Sequence, residues 1–342
     1  MDLLPSADQL ELVAAASEFC AGQLPVSAIR QRRGEPSAIA RKLWSSCAEL
    51  GMLGVSAPEE AGGSGLPLED EALLFRELGR RLVPGPFVAS VLGARLAALT
   101  GHNDLAASIV GGHIQVGLAQ RRDGEAGDGP TVSGAFDLFD AVDADYVLVV
   151  EPGGAGLAAT DSLTGVTPVD CIDPGTRLSS ATATDVPLLC WVSTMDEPLR
   201  LRGLALVSAL QAGIAEAVRD LAVEHAGNRV QFGRPIGVNQ AVKHACVDMA
   251  VAVEAASQQT MFGAISLRSA RPDAEFQVLA AKSVAGRAAI GNAEAAIQVH
   301  GGMGYTYEHD VHLYLKRAHV LDQFFGSPRD HLGNLLIQEA AQ

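Results

Sequence analysis

Basic residues are scarce in this 342-residue chain, where 25 Lys and Arg stand against 40 Asp and Glu for a formal net charge of −15. A duplex-binding surface needs clustered cations that release counterions from phosphates, so this balance argues against a nucleic-acid partner. An anionic membrane surface is disfavoured for the same reason. A small anionic ligand is not, because a few local cations or backbone N–H groups suffice to hold one. Cysteine is sparse as well. Cys20, Cys47, Cys171, Cys190 and Cys246 are odd in number, scattered, and without a CxxC pair. That argues against a disulfide framework or a zinc knuckle, and for thiols buried in a reducing cytosol. No uninterrupted apolar run reaches 18 residues, so no membrane span is expected. The start, Met1-Asp2-Leu3-Leu4-Pro5, has no basic stretch, and the first cation is Arg30, unlike a secretory signal. The expected location is cytoplasmic.

Hydrophobic residues make up 48% of the chain and charged residues 19%, which excludes long disorder and allows a sizeable core. The length suggests two or three domains, or one composite fold. Three regions differ in period. Residues 1–112 read as helical, with Leu10, Val13, Ala14, Phe19 and Leu24 near helical spacing and Leu43, Trp44, Cys47 and Leu50 repeating it. Gly51 is placed as a glycine cap. Glu69–Leu82 forms another stripe, acidic early and basic at Arg80-Arg81, in the order a helix dipole favours, before Pro84 and Pro86 stop it. Residues 113–196 change to short runs: Ile114–Leu118 alternates, and Tyr146–Val150 and Pro187–Val192 are β-like. Residues 197–342 return to helix. Val207, Leu210, Ile214, Val218 and Leu221 make one stripe, followed by Ala-rich helices over Val238–Ser269 and Asp273–Val299. Helices, then strands, then helices give a mostly α, α+β fold: a helical bundle with an inserted β domain, not an alternating βαβ sheet.

Two segments carry chemistry. Arg229-Val230-Gln231-Phe232-Gly233-Arg234-Pro235 joins two long helices and offers a guanidinium for phosphate and an aromatic face for a flat ring. The competing reading is a polar inter-helix loop with Phe232 as a core plug. Gln298-Val299-His300-Gly301-Gly302-Met303-Gly304-Tyr305-Thr306 has glycines that let backbone N–H groups approach an anion. It follows a helix rather than a strand, so a Rossmann reading fails, and a helix C-cap turn is the ordinary alternative.

In this order and at this separation the two segments resemble the acyl-CoA dehydrogenases, FAD-dependent enzymes that oxidise acyl-CoA thioesters to 2-enoyl-CoAs. The stretch Trp44…Glu49-Leu50-Gly51…Pro58-Glu59-Glu60…Gly62-Gly63-Ser64-Gly65, the run Glu77-Leu78-Gly79-Arg80, and Ser133-Gly134 with Asp143–Val149 resemble the same family. The resemblance implies an N-terminal helical domain, a middle β domain and a C-terminal four-helix bundle. It also implies FAD as cofactor, an acyl-CoA substrate and an electron-accepting flavoprotein. Arg229 and Phe232 resemble the pair that holds FAD pyrophosphate and adenine across a subunit interface. Gln240 resembles a nearby contact, and Gln298, Gly301 and Gly302 the loop over a neighbour's dinucleotide.

The catalytic base departs from the family pattern. A carboxylate must stand near the substrate's α-proton, yet the two family positions for it align with Phe325 and Gly203. The flavin-side loop is replaced by Ala119–Asp128. Asp322 is a weak substitute base, expected instead to pair at the surface with Arg317 or Lys316, and Glu197 is weaker still. His309 and His312 have i,i+3 spacing that can bind metal, but a polar helix face is the preferred reading. The chain is therefore expected to be a base-lacking subunit of a heterotetramer with a second acyl-CoA dehydrogenase-type chain, of the short kind used in sterol side-chain degradation. Alternatives are a self-sufficient homo-oligomer with a displaced base, and a non-catalytic scaffold.

Overall fold

Helical and strand periods along the chain give, in a computed structural model that describes residues 3–127 and 129–338, eleven α-helices and nine strands among the described residues. Met1, Asp2 and Asp128, to which parts of the sequence reading refer, lie outside them. The helices α1 (Ala7–Gln23), α2 (Ala28–Gln31), α3 (Arg41–Glu49), α4 (Leu68–Arg80), α5 (Phe87–Leu99) and α6 (Asn103–Val110) come first. Strands β1 (Val116–Asp123), β2 (Thr131–Phe139), β3 (Tyr146–Glu151), β4 (Gly154–Ala159), β5 (Thr164–Val169), β6 (Leu178–Pro187) and β7 (Leu189–Ser193) follow. Then come α7 (Leu199–Asn228), the two-residue strands β8 (Val230–Gln231) and β9 (Arg234–Pro235), α8 (Gln240–Arg268), α9 (Ala274–His300), α10 (Val311–Asp322) and α11 (Pro328–Ile337).

Local chemistry sets several ends. Ser6 and Gln9 form a reciprocal capping box on α1, and Ser327 and Asp330 do the same on α11, satisfying orphan N–H groups of the first turn. Gly51, at φ +80°, closes α3 with Met52 N–H donating to Cys47 O, as a glycine cap does. The end of α4 differs from expectation. It stops at Arg80 because Leu82 itself turns left-handed (φ +49°) and Val83 N–H donates back to Leu78 O, ahead of Pro84.

The chain packs as two compact units, one of residues 29–71 and 84–203, the other of residues 1–28, 72–83 and 204–342. The first unit holds the seven-stranded sheet, in order β5-β6-β2-β1-β3-β4-β7, with every pair antiparallel except β1 with β3. Phe136, Leu138, Val147, Val149 and Val186 build its core. Ile114–Leu118 alternates in sequence, but Val116–Ala119 of β1 are all buried, because a central strand flanked by β2 and β3 and covered by α5 meets protein on both faces. Helix α5 is apolar around its whole circumference and buried accordingly.

The second unit is the helical bundle. Helices α4 and α7 approach backbone to backbone: a Cβ on Gly79 would fall 2.1 Å from Leu210 O, and one on Gly213 1.8 Å from Arg76 O. Ion pairs Arg76–Glu216 and Arg80–Asp220, each 2.7 Å, border that contact. Arg80 and Arg81 are thus more than a basic helix end, since Arg81 also bonds Glu77 at 2.9 Å and Ser17 Oγ at 2.8 Å. Helix α7 is long and apolar enough to cross a membrane, but 83% of its most apolar window is buried inside the protein, as befits a bundle's central helix.

Candidate functional site

At its C-terminal end α7 gives way to a tight hairpin. Arg229 N–H donates to His225 O at 2.8 Å, and Ile236 N–H donates to Arg229 O at 2.9 Å, closing β8 on β9. The two turn residues, Phe232 (φ +52°) and Gly233 (φ +78°), are both left-handed, the backbone a two-residue hairpin requires. That geometry throws the Phe232 ring outward, where it is fully exposed. The core-plug reading of Phe232 is therefore wrong. Arg229 is exposed too, and among the described residues its guanidinium makes no ion pair, not even with nearby Glu224. Gln240 is the exposed first residue of α8.

The second segment ends α9. Gln298 is exposed, Gly301 takes φ +61° as the helix cap, and Gly302 is exposed beside it. A Cβ added to either glycine would meet nothing within 4 Å, so the cap turn also leaves open backbone. Three imidazoles bring the two segments together. The His225 and His300 rings stack at 4.3 Å with 26° between planes, and His309 lies 4.5 Å from His300. Burial, with His309 and Arg229 nearby, holds His225 below the usual histidine range, and burial does the same for His300. The pair expected at His309 and His312 is not formed as one helix face: His309 precedes α10 and joins this stack, while His312 tilts against Tyr307 at 5.7 Å.

FAD presents an anionic pyrophosphate and a flat adenine. A guanidinium without an ion-pair partner among the described residues, a phenyl ring held out by its backbone, and two glycines with open space beside them fit those groups.

The base positions are different in kind. Phe325 is buried, left-handed at φ +61°, and edge-to-face with Phe324. Gly203 is buried in α7. Asp322 accepts from Lys282 Nζ at 2.9 Å and from Gln211 Nε2 at 3.2 Å. The expected surface pair with Arg317 or Lys316 does not form, because Arg317 donates to Val83 O and Lys316 lies over the Tyr307 ring. Lys282 is only 1% exposed, and burial lowers its pKa while Asp322 raises it. Both residues line a cavity of about 490 Å³ with Val284, Ile290, Leu332 and Leu335. Glu197 is held by Arg95 through two bonds of 2.8 and 3.1 Å. Of the expected loop Ala119–Asp128, residues 119–123 are instead the second half of β1, where Arg121 pairs with Glu151 at 2.7 Å and donates to Ser133 O.

Sequence reasoning did not single out Lys282, although a signal was there: a lone cation at helical spacing between Val278 and Ala285-Ala289 sits on a buried stripe. The His225–His300 contact had no such signal, being 75 residues apart with no shared pattern.

Helices, a mixed sheet and a terminal bundle with these exposed loops define a flavin-dependent dehydrogenase scaffold. One chain of the ChsE4–ChsE5 complex from Mycobacterium tuberculosis has the same fold, with a TM-score of 0.84 over 100% of both chains at 24% identity. The chain belongs to the acyl-CoA dehydrogenase family, the FAD-dependent oxidoreductases of acyl-CoA thioesters. Its residues 6–110 match the family's N-terminal domain and residues 202–334 its C-terminal domain. Acyl-CoA dehydrogenase IpdE2 of Mycobacterium tuberculosis is 34% identical over 316 residues, 90% of each chain. Acyl-CoA dehydrogenase FadE34 of the same organism is 35% identical over 300 residues, 84% of this chain but 40% of that protein.

Proposed function

We propose that this chain is the base-lacking subunit of a hetero-oligomeric acyl-CoA dehydrogenase, completing a flavin site held largely by a second chain of the same family. The observation that carries this reading is a contrast between outward and inward groups. Arg229, Phe232, Gln240, Gln298, Gly301 and Gly302 all face outward, while Phe325 and Gly203 offer no carboxylate. The chemistry requires a base at Cα while bound FAD supplies the acceptor for hydride from Cβ. A phenyl ring cannot take the proton. Asp322 and Glu197, the nearest substitutes in sequence, are each engaged by a cation, which weighs against a self-sufficient homo-oligomer.

Similar proteins support a two-chain assembly. ChsE4–ChsE5 is a complex, another fold relative is a Tcur3481–Tcur3483 steroid acyl-CoA dehydrogenase, and in FadE34 the matched part is joined to more sequence than it contains itself. We read the substrate as a steroid side-chain or fatty acyl-CoA and the electron acceptor as an electron-transferring flavoprotein. In this division of labour we take residues 1–112 as the N-terminal helical domain, 113–196 as the middle β domain and 197–342 as the C-terminal helical bundle. Cytoplasmic residence agrees with five unbridged thiols.

The test is expression of the chain with and without its genomic neighbour, followed by measurement of bound flavin and enoyl-CoA formation. Alone, the chain should turn over ~10²–10⁴-fold more slowly than the pair, the usual cost of a missing general base. Full activity of the isolated chain would overturn the proposal.

A further inference from the structure

We infer that His300 is a positioning residue, clasping the two cofactor-facing loops together through its stack with His225 and His309. The inference rests on the reading that those loops serve a dinucleotide, and goes beyond it by naming what aligns them.

The three rings come from three elements. His225 belongs to the last turns of α7, His300 ends α9, and His309 lies just before α10. Only His300 touches both of the others, at 4.3 and 4.5 Å. Its own orientation is fixed: His300 Nδ1 lies 2.7 Å from Ala296 O. A carbonyl only accepts, so Nδ1 carries the proton and the neutral ring keeps one tautomer. His309 is fixed in the opposite sense, its Nδ1 accepting from Val311 N–H at 3.2 Å.

His225 and His300 are coupled by short covalent and hydrogen-bonded paths to the groups that face outward. The His225 carbonyl accepts the Arg229 N–H, and the Arg229 carbonyl accepts from Ile236, which shuts the hairpin carrying Phe232. On the other side His300 directly precedes Gly301 and Gly302, and Gln298 is two residues before it. Without the stack, the end of α7 and the end of α9 would set their loops independently. With it, a guanidinium, an exposed ring and an open glycine turn are fixed against one another, which lowers the ordering cost of binding one rigid ligand.

The experiment titrates FAD into the flavin-stripped, assembled oligomer. Aromatic pairs of this kind convert to roughly two- to tenfold in affinity, so His300→Ala should weaken FAD binding by about that factor. His300→Phe, which keeps a flat ring, should restore most of it. In an Arg229→Ala background, His300→Ala should cost less than it does in wild type, since part of its effect passes through the arginine's placement. His225→Ala, at a half-buried position, removes the same stack from the other side and should match His300→Ala if the latter folds poorly. Wild-type affinity in His300→Ala and His225→Ala, with Arg229→Ala weakened, would overturn the clasp and leave the cofactor reading standing. So would full additivity with Arg229→Ala, the mark of general destabilisation. Unchanged affinity in Arg229→Ala would overturn both.

Discussion

Two regions of the bundle unit treat their polar groups in opposite ways. At the hairpin and the α9 cap, Arg229, Phe232 and Gln298 are exposed, and among the described residues no carboxylate pairs with the Arg229 guanidinium. Around Phe325, polar groups turn inward: Lys282 and Gln211 both donate to Asp322, linking three helices, and Gly286 has no side chain where a Cβ would meet Asp322 Oδ1 at 2.5 Å. The first region spends no internal energy on groups that a ligand or second chain would satisfy. In the second, the Asp322 carboxylate is engaged by Lys282 and Gln211, while Gln211 Oε1 is buried without a partner among the described residues. A region built for a partner and a region built for stability are told apart by where their charges find partners.

Breaking the inward region should give the largest effect on the fold. Asp322→Ala strips the partner from a buried ammonium, and removing one member of a buried pair costs about 3–5 kcal/mol. Replacing both members, Lys282→Met with Asp322→Leu, should cost far less, because no unpaired charge is then buried. Urea unfolding of the three proteins checks the contrast; equal losses would mean the pair is not what holds Lys282.

The outward region should respond in binding rather than stability. Arg229→Ala should weaken FAD binding to the oligomer by about 1.5–3 kcal/mol, the worth of hydrogen bonds to a charged group, while its unfolding midpoint stays unchanged. Isothermal titration and thermal melts, run side by side, separate the two. A lower melting temperature with unchanged affinity would reverse the assignment of this region.

A smaller effect is expected from pH. His225 and His300 have folded pKa values below the ordinary 6.5, so the fold favours their neutral forms and the unfolded chain binds protons more readily. Their contribution to stability is fully present above pH 6.5 and declines as pH falls below it. His300→Phe should flatten part of that decline between pH 7.5 and 5.5, measured by urea midpoints. A slope identical to wild type would show that the stack does not sense protonation.

The smallest expected effect is none at all. Phe325→Glu returns a carboxylate to the family position, but proximity catalysis needs reacting groups held near their productive geometry. Here the residue sits on a left-handed turn, packed on Phe324. The isolated Phe325→Glu chain should form no more enoyl-CoA than wild type. Substantial turnover would mean that an intact pocket had lost only its base.

Much of this was legible in the sequence. The stripes at Val207–Leu221 and in the two Ala-rich segments became α7, α8 and α9, and the β-branched runs became β3 and β7, because period and turn chemistry are local properties. Strands β4, β5 and β6 left little trace: Gly154–Ala159 is Gly and Ala apart from Leu157, and Thr164–Val169 is exposed throughout, so cross-strand pairing rather than propensity makes them strands. The loops of the candidate site were legible as motifs, since a Phe-Gly hairpin turn and a glycine-rich helix cap are local too. Sequence by itself determined the order of elements and the family resemblance, and it placed Phe325 and Gly203 where a carboxylate was expected. Only the tertiary structure decided that Asp322 answers Lys282 rather than Arg317 or Lys316, that Phe232 points out rather than in, and that His300 meets His225. Those are contacts between residues 40 and 75 positions apart, or an orientation set by a backbone turn, and helical spacing carries no information about which faces of different helices meet.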